Sequence, residues 1–186
     1  MPPTSNNPPQ STPQPEPWLR GTLHELPPAQ RAVLHALQLA REDAGRWCAS
    51  LTPTEFCSRP HNLPPVGFHL RHIVGSLDRL LTYAEGRELT EEQGIAMRSE
   101  METPQESDES EWREEVLAEF DLGLARAEKR IRLIDFSSWP EPRSVGRQQL
   151  PTTVAGLLIH CADHTQRHVG QAVTTAKVLL DLREPS

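Results

Sequence analysis

Apolar residues recur at three- and four-residue steps along four long stretches of the chain, the spacing of amphipathic helices. The first stripe, Val33, Leu37, Ala40, Ala44, Trp47 and Leu51, predicts a helix from about Pro28 to Ser50. The second, Val66, Leu70, Ile73, Leu77, Leu80 and Ala84, predicts one that starts at Pro64 or Pro65 and stops at Gly86, a favoured C-terminal residue. The third begins near Ser110 and carries Trp112, Val116, Phe120, Leu124, Ala127, Ile131 and Ile134, with Glu111, Glu114 and Glu115 at the positive end of its dipole. The fourth runs from Pro151 to about Asp181, with Thr152 or Thr153 to cap its first N–H groups. These stripes, with little β-branched alternation, predict an all-α four-helix bundle.

The stretches between them are polar. From Arg87 to Glu109 the chain forms a connection of roughly 20 residues, a length that in a compact domain goes with crossing over or shielding a site. Leu89 to Met97 reads as a short helix within it, and Ser137 to Leu150 reads as a second connection. Residues 1–17 hold seven prolines and no large aliphatic side chain after Met1, which predicts a disordered tail before a single domain at 18–183.

Charge adds little to this picture. The chain of 186 residues has a net charge of −7, and the run from Glu88 to Asp121 holds thirteen acids against two bases. Such a run is a solvated loop and helix start. No basic stripe with interleaved aromatics argues for nucleic acid, and no run of about 18 apolar residues argues for a membrane span. The N-terminus lacks a basic start and apolar core, which predicts a cytoplasmic protein. Cys48, Cys57 and Cys161 have no metal-cluster spacing and are expected as free thiols.

The chemistry is concentrated in histidines. With Leu157 at zero and about 100° per residue, Cys161 falls near 40°, His164 near 340°, His168 near 20° and Ala172 near 60°. His164 and His168 therefore stack one turn apart within an apolar stripe, where imidazole is costly to bury without partners. A metal ion taking one nitrogen from each ring explains the pair economically. His160 falls at the edge of the stripe, lining or exposed, and Cys161 reads as a small buried hydrophobe. His35, about 200° from Val33, is expected to be exposed, and His24 and His61 lie in loops. A third ligand is available in the second helix, which carries His69 and His72. Periodicity favours His69, at about −40° from Ile73 against about −100° for His72. Three histidines leave an open coordination position, the ligand count of a catalytic rather than a structural zinc site. Thr165 stands where a zinc protease needs glutamate, so that class is excluded.

Arg71-His72-Ile73-Val74-Gly75-Ser76 followed by His164-x-x-x-His168-x-Gly170-Gln171 resembles the DinB-like (YfiT-like) metalloenzymes, over nearly the whole length from the first helix to the last. The resemblance implies a four-helix bundle with a divalent ion, zinc or nickel, held by His72, His164 and His168. His69 would then line the pocket one turn away, with Gln171 and Arg167 as further polar neighbours. Relatives of this kind include S-transferases that use bacillithiol, mycothiol or glutathione and an isomerase of maleylpyruvate, and homodimers are frequent among them. The expected function is a metal-dependent thiol transferase or hydrolase acting on a small molecule, with a low-molecular-weight thiol as co-substrate. The alternative is a non-catalytic metal-binding or stress-related bundle.

Overall fold

A computed structural model describes residues 14–183. The chain is mostly helical, with six α-helices and one two-stranded hairpin among the described residues: α1 (Pro28–Trp47), α2 (Pro53–Cys57), α3 (Val66–Ala84), α4 (Glu91–Ser99), α5 (Glu109–Leu133), β1 (Pro142–Val145), β2 (Leu150–Thr153) and α6 (Val154–Asp181). None of these helices is long and apolar enough to cross a membrane. The expected tail falls mostly on residues 1–13, which lie outside the described residues; Pro17 is buried and opens a short 3-10 turn.

The four long helices pack pairwise, α3 against α5 and α6, and α1 against the same two. Their apolar stripes meet in one core, from Leu37 and Ala40 of α1 through Leu70, Ile73 and Leu77 of α3 to Leu124 of α5 and Leu158 and Ala172 of α6. Each large aliphatic side chain buried this way stabilises the fold by about 1.5–3 kcal/mol. On α3 the stripe turns slightly from expectation: Leu81 is fully buried and Leu80 only partly.

The ends of the helices follow local chemistry. At Gly86, with φ +74°, the N–H bonds to Tyr83 O and the next N–H, of Arg87, bonds to Thr82 O; these two bonds close α3 in a Schellman motif. Proline does not open α3 from inside the helix, because Pro65 is its extended N-cap. Pro151 lies in β2, not in α6; Thr153 caps α6 by accepting from Gly156 N at 3.0 Å. The second connection contains the hairpin, with Pro142 opposite Thr153 and Val145 opposite Leu150. Val154 N and Ala155 N bond back to Glu141 O and Trp139 O, which ties the start of α6 to this hairpin. Helix α2 is a further addition, set by a capping box in which Thr52 and Glu55 bond to each other's backbone N–H.

One expectation fails clearly. His35 is buried at 6% exposure, because the segment before α1 lies over the outer face of that helix. Thr22 Oγ1 sits 3.0 Å from His35 Nε2, and Arg20 pairs with Glu42. Burial, and then the nearby Arg31 and Arg20, depress the His35 pKa.

Candidate metal centre

α3 and α6 are neighbours along much of their length. Their registers bring His72, His164 and His168 together, with one ring nitrogen from each within 4.8 Å of the others. Nε2 of His72 lies 3.3 Å from Nε2 of His164, and the His164 and His168 ring centres are 4.5 Å apart. All three rings are half-buried, so the cluster is reachable from outside. Burial and the positive charge that each neighbouring ring would carry push His164 and His168 down to about 4. Near neutral pH these two rings are therefore uncharged, with lone pairs free to bind a cation. The group can hold a divalent metal ion.

His69 lies deeper, at 2% exposure. Its Nδ1 is 3.1 Å from Nδ1 of His168, and its Nε2 is buried without a partner. Burial pushes its pKa to about 4. The stripe argument thus found the more buried histidine of α3. His72 is the one whose ring reaches His164, because α6 covers an arc of α3 wider than its aliphatic stripe. Phe68, unmarked in the sequence, stacks on His72 with ring centres 5.4 Å apart and walls the group.

The outer ring of residues divides. Arg167, Gln171, Thr174 and Leu63 line a cavity of about 270 Å³ together with His69. Arg167 is exposed and pairs with Asp163 at 2.8 Å. Gly170 of the motif faces open space, where an added Cβ would meet nothing within 4 Å. His160 is exposed and lies 3.5 Å from Asp163. Cys161 is fully buried, and burial raises its thiol, like that of Cys48, to about 12; Cys57 rises to about 11 for the same reason. None of the three is a thiolate at neutral pH.

Glu100, just past the end of α4, went unnoticed in the sequence. Its carboxylate is 2.6 Å from Nδ1 of His72 and 2.5 Å from Nη1 of Arg79. Burial works to raise its pKa, but the bonds from His72 and Arg79 outweigh burial and hold it below the usual carboxylate range. A sequence signal did exist: Arg79 lies seven residues after His72 and three after Ser76, so a cation shares the buried face of α3 and calls for an acid. A larger cavity of about 440 Å³ lies between α3, α4 and α5, with Arg71, Asp78 and Arg130 in its lining and none of the histidines.

Residues 10–172 match the family model described as the DinB superfamily. Among curated proteins and among solved structures nothing matches significantly.

Proposed function

Because the chain belongs to the DinB superfamily, we propose that α1, α3, α5 and α6 form its four-helix bundle and that His72, His164 and His168 hold a zinc or nickel ion for chemistry on a small molecule. The observation that carries this reading is the convergence of three imidazole nitrogens from two helices within 4.8 Å, in a half-buried setting that keeps His164 and His168 neutral. Three nitrogen donors fit the borderline-soft ions of the first transition row. When bound, such an ion supplies Lewis acidity and lowers the pKa of a water or thiol in its open position.

The protein's own residues do the rest. Glu100 meets Nδ1 of His72, on the side of the ring away from His164, and His69 meets Nδ1 of His168, so two of the three rings are braced by neighbours outside the group. Phe68 excludes water from one wall. Gln171 offers an amide in the cavity beside His69, and an acidic low-molecular-weight thiol there would share the Arg167 guanidinium with Asp163. The protonated state of Cys48, Cys57 and Cys161 favours a thiol brought from outside over one from the chain. The proposed reaction is transfer of such a thiol to an electrophile, with hydrolysis as the variant in which water takes its place.

A screen of untagged protein with bacillithiol, mycothiol and glutathione against a panel of electrophiles tests this. Thiol consumption should depend on added zinc or nickel, stop on chelation, and be lost in His164→Ala. A metal-loaded protein that consumes no thiol and hydrolyses none of the panel would favour a non-catalytic metal-binding role.

A further inference from the structure

Among the thirteen acidic residues between Glu88 and Asp121, Glu100 alone is buried, at 6% exposure. A buried carboxylate is costly unless it is paired and hydrogen-bonded. Glu100 meets that need with one oxygen on Arg79 and the other on His72. The local fold is arranged to deliver it. A capping box between Thr90 and Gln93 starts α4, Gln93 anchors the helix to α3 through Asp78 at 2.5 Å and Thr82 at 2.9 Å, and Glu100 follows directly after the last turn. On the receiving side, Gly75 leaves the space the carboxylate occupies; a Cβ there would press on Glu100 Oε1 and lie 2.8 Å from Arg79 Nη1. Arg79 also reaches Ser76 Oγ at 3.3 Å, next to the His72 ring.

An Arg79–Glu100 pair could exist only to dock α4. The bond to His72 says more. A carboxylate is an acceptor, so Nδ1 of His72 must be the donor, and a neutral ring that carries its proton on Nδ1 has its lone pair on Nε2. Nε2 is the atom that faces His164 at 3.3 Å. The corresponding bond of His168 is to another imidazole, His69, so Glu100 singles out His72.

We propose that Glu100 is a positioning residue of the metal centre: it fixes the His72 ring in the Nδ1–H form, turned so that Nε2 faces the cluster, while Arg79 holds the carboxylate in place. The acidic connection between α3 and α5 thereby contributes to the site without supplying a ligand. The consequence for metal binding rests on the three-histidine reading above; the statement about the His72 ring stands on the metal-free protein.

The test combines two measurements on full-length, untagged protein. Zinc and cobalt(II) affinities are measured by competition titration, and the ring ¹⁵N shifts of His72 are recorded without metal. In the wild type the shifts should show Nδ1–H and a bare Nε2. Glu100→Gln should weaken both metals by about 10- to 100-fold, the usual cost of removing a carboxylate that orients a ligand histidine, and Glu100→Asp, which keeps the charge, should recover part of that loss. Gln93→Ala, which removes an anchor of α4 but neither partner of the Glu100–His72 bond, should weaken both metals less than Glu100→Gln does and leave His72 in the Nδ1–H form. An Nε2–H tautomer in the wild type, or unchanged affinity in Glu100→Gln, overturns the proposal. So does a loss in Gln93→Ala equal to that in Glu100→Gln while His72 keeps its Nδ1–H form, which would mean that affinity follows the docking of α4 and not the state of the ring. Should Glu100→Gln not fold, the wild-type tautomer and the Glu100→Asp affinity still decide. Should the wild type take up no metal, the three-histidine reading fails by itself, and the ring shifts alone decide whether Glu100 sets the His72 tautomer.

Discussion

Gly75→Ala is a one-carbon change that sets helix propensity against the geometry of the site. Gly75 lies inside α3, where alanine would ordinarily stabilise a helix by about 1 kcal/mol. Here the added Cβ would press on Glu100 Oε1 and lie 2.8 Å from Arg79 Nη1. The Glu100 and Arg79 side chains are only 8% and 10% exposed, so neither can swing into solvent without leaving its partner. To restore van der Waals contact the carboxylate must retreat by roughly 1 Å, which stretches bonds of 2.6 Å to His72 and 2.5 Å to Arg79 beyond hydrogen-bonding range. A hydrogen bond to a charged group contributes about 1.5–3 kcal/mol, so losing one outweighs the gain in propensity. The expected result is a metal-free protein less stable by about 1–2 kcal/mol and a metal affinity lower by about tenfold. Urea unfolding and a zinc competition titration on the same preparation read both. A variant that is stabilised by about 1 kcal/mol with unchanged zinc affinity would refute the reasoning, because the carboxylate would then have room to move without cost.

Three further outcomes are expected. In Gly123→Ala the new Cβ would lie 2.5 Å from Val74 Cγ1 and 2.7 Å from Cγ2, so no rotamer of Val74 escapes and α5 must part from α3; overpacking of about 1–3 kcal/mol exceeds the propensity gain, and urea unfolding should show a net loss near 1 kcal/mol. Because His164 and His168 stand at about 4 in the fold against 6.5 when unperturbed, the unfolded chain binds more protons between those values; metal-free stability should be full above about pH 6.5 and fall as pH drops towards 5, and the fall should shrink in a His164→Asn/His168→Asn variant. Zinc at a hundred times its dissociation constant should stabilise the fold by about 2.7 kcal/mol and raise the melting temperature by roughly 5–10 °C, and chelation should reverse this; an identical melting curve for loaded and stripped protein would count against the site.

The parts of the fold that depend on long periodic stripes were legible in the sequence. The four long helices lie within a few residues of expectation, and the pairing of His164 with His168 on one face of α6 follows from their spacing alone. Features set by contacts between distant segments were not legible. His35 looked exposed on its own helix and is covered by residues near Thr22. The hairpin of four-residue strands left too short an alternation to stand out, and its Pro151 read more naturally as a helix start. Helix α2 is short, and its signal was a capping box at Thr52 and Glu55, not a stripe. Glu100 was one acid among thirteen; only the partnership with Arg79 and His72 across the connection sets it apart. For His69 and His72, periodicity measures depth in the core, which it ranked correctly, whereas reach towards α6 depends on where that helix crosses.

The account stands or falls on what the three histidines hold. Crystals of untagged protein loaded with zinc, measured on both sides of the zinc absorption edge, locate the ion directly. The account predicts one anomalous peak per chain among the rings of His72, His164 and His168, bonded to Nε2 of His72 at about 2.0–2.1 Å, with Nδ1 of that ring still on Glu100. A peak bonded to His69 in place of His72, or no peak among these rings in protein shown to carry zinc, would contradict it.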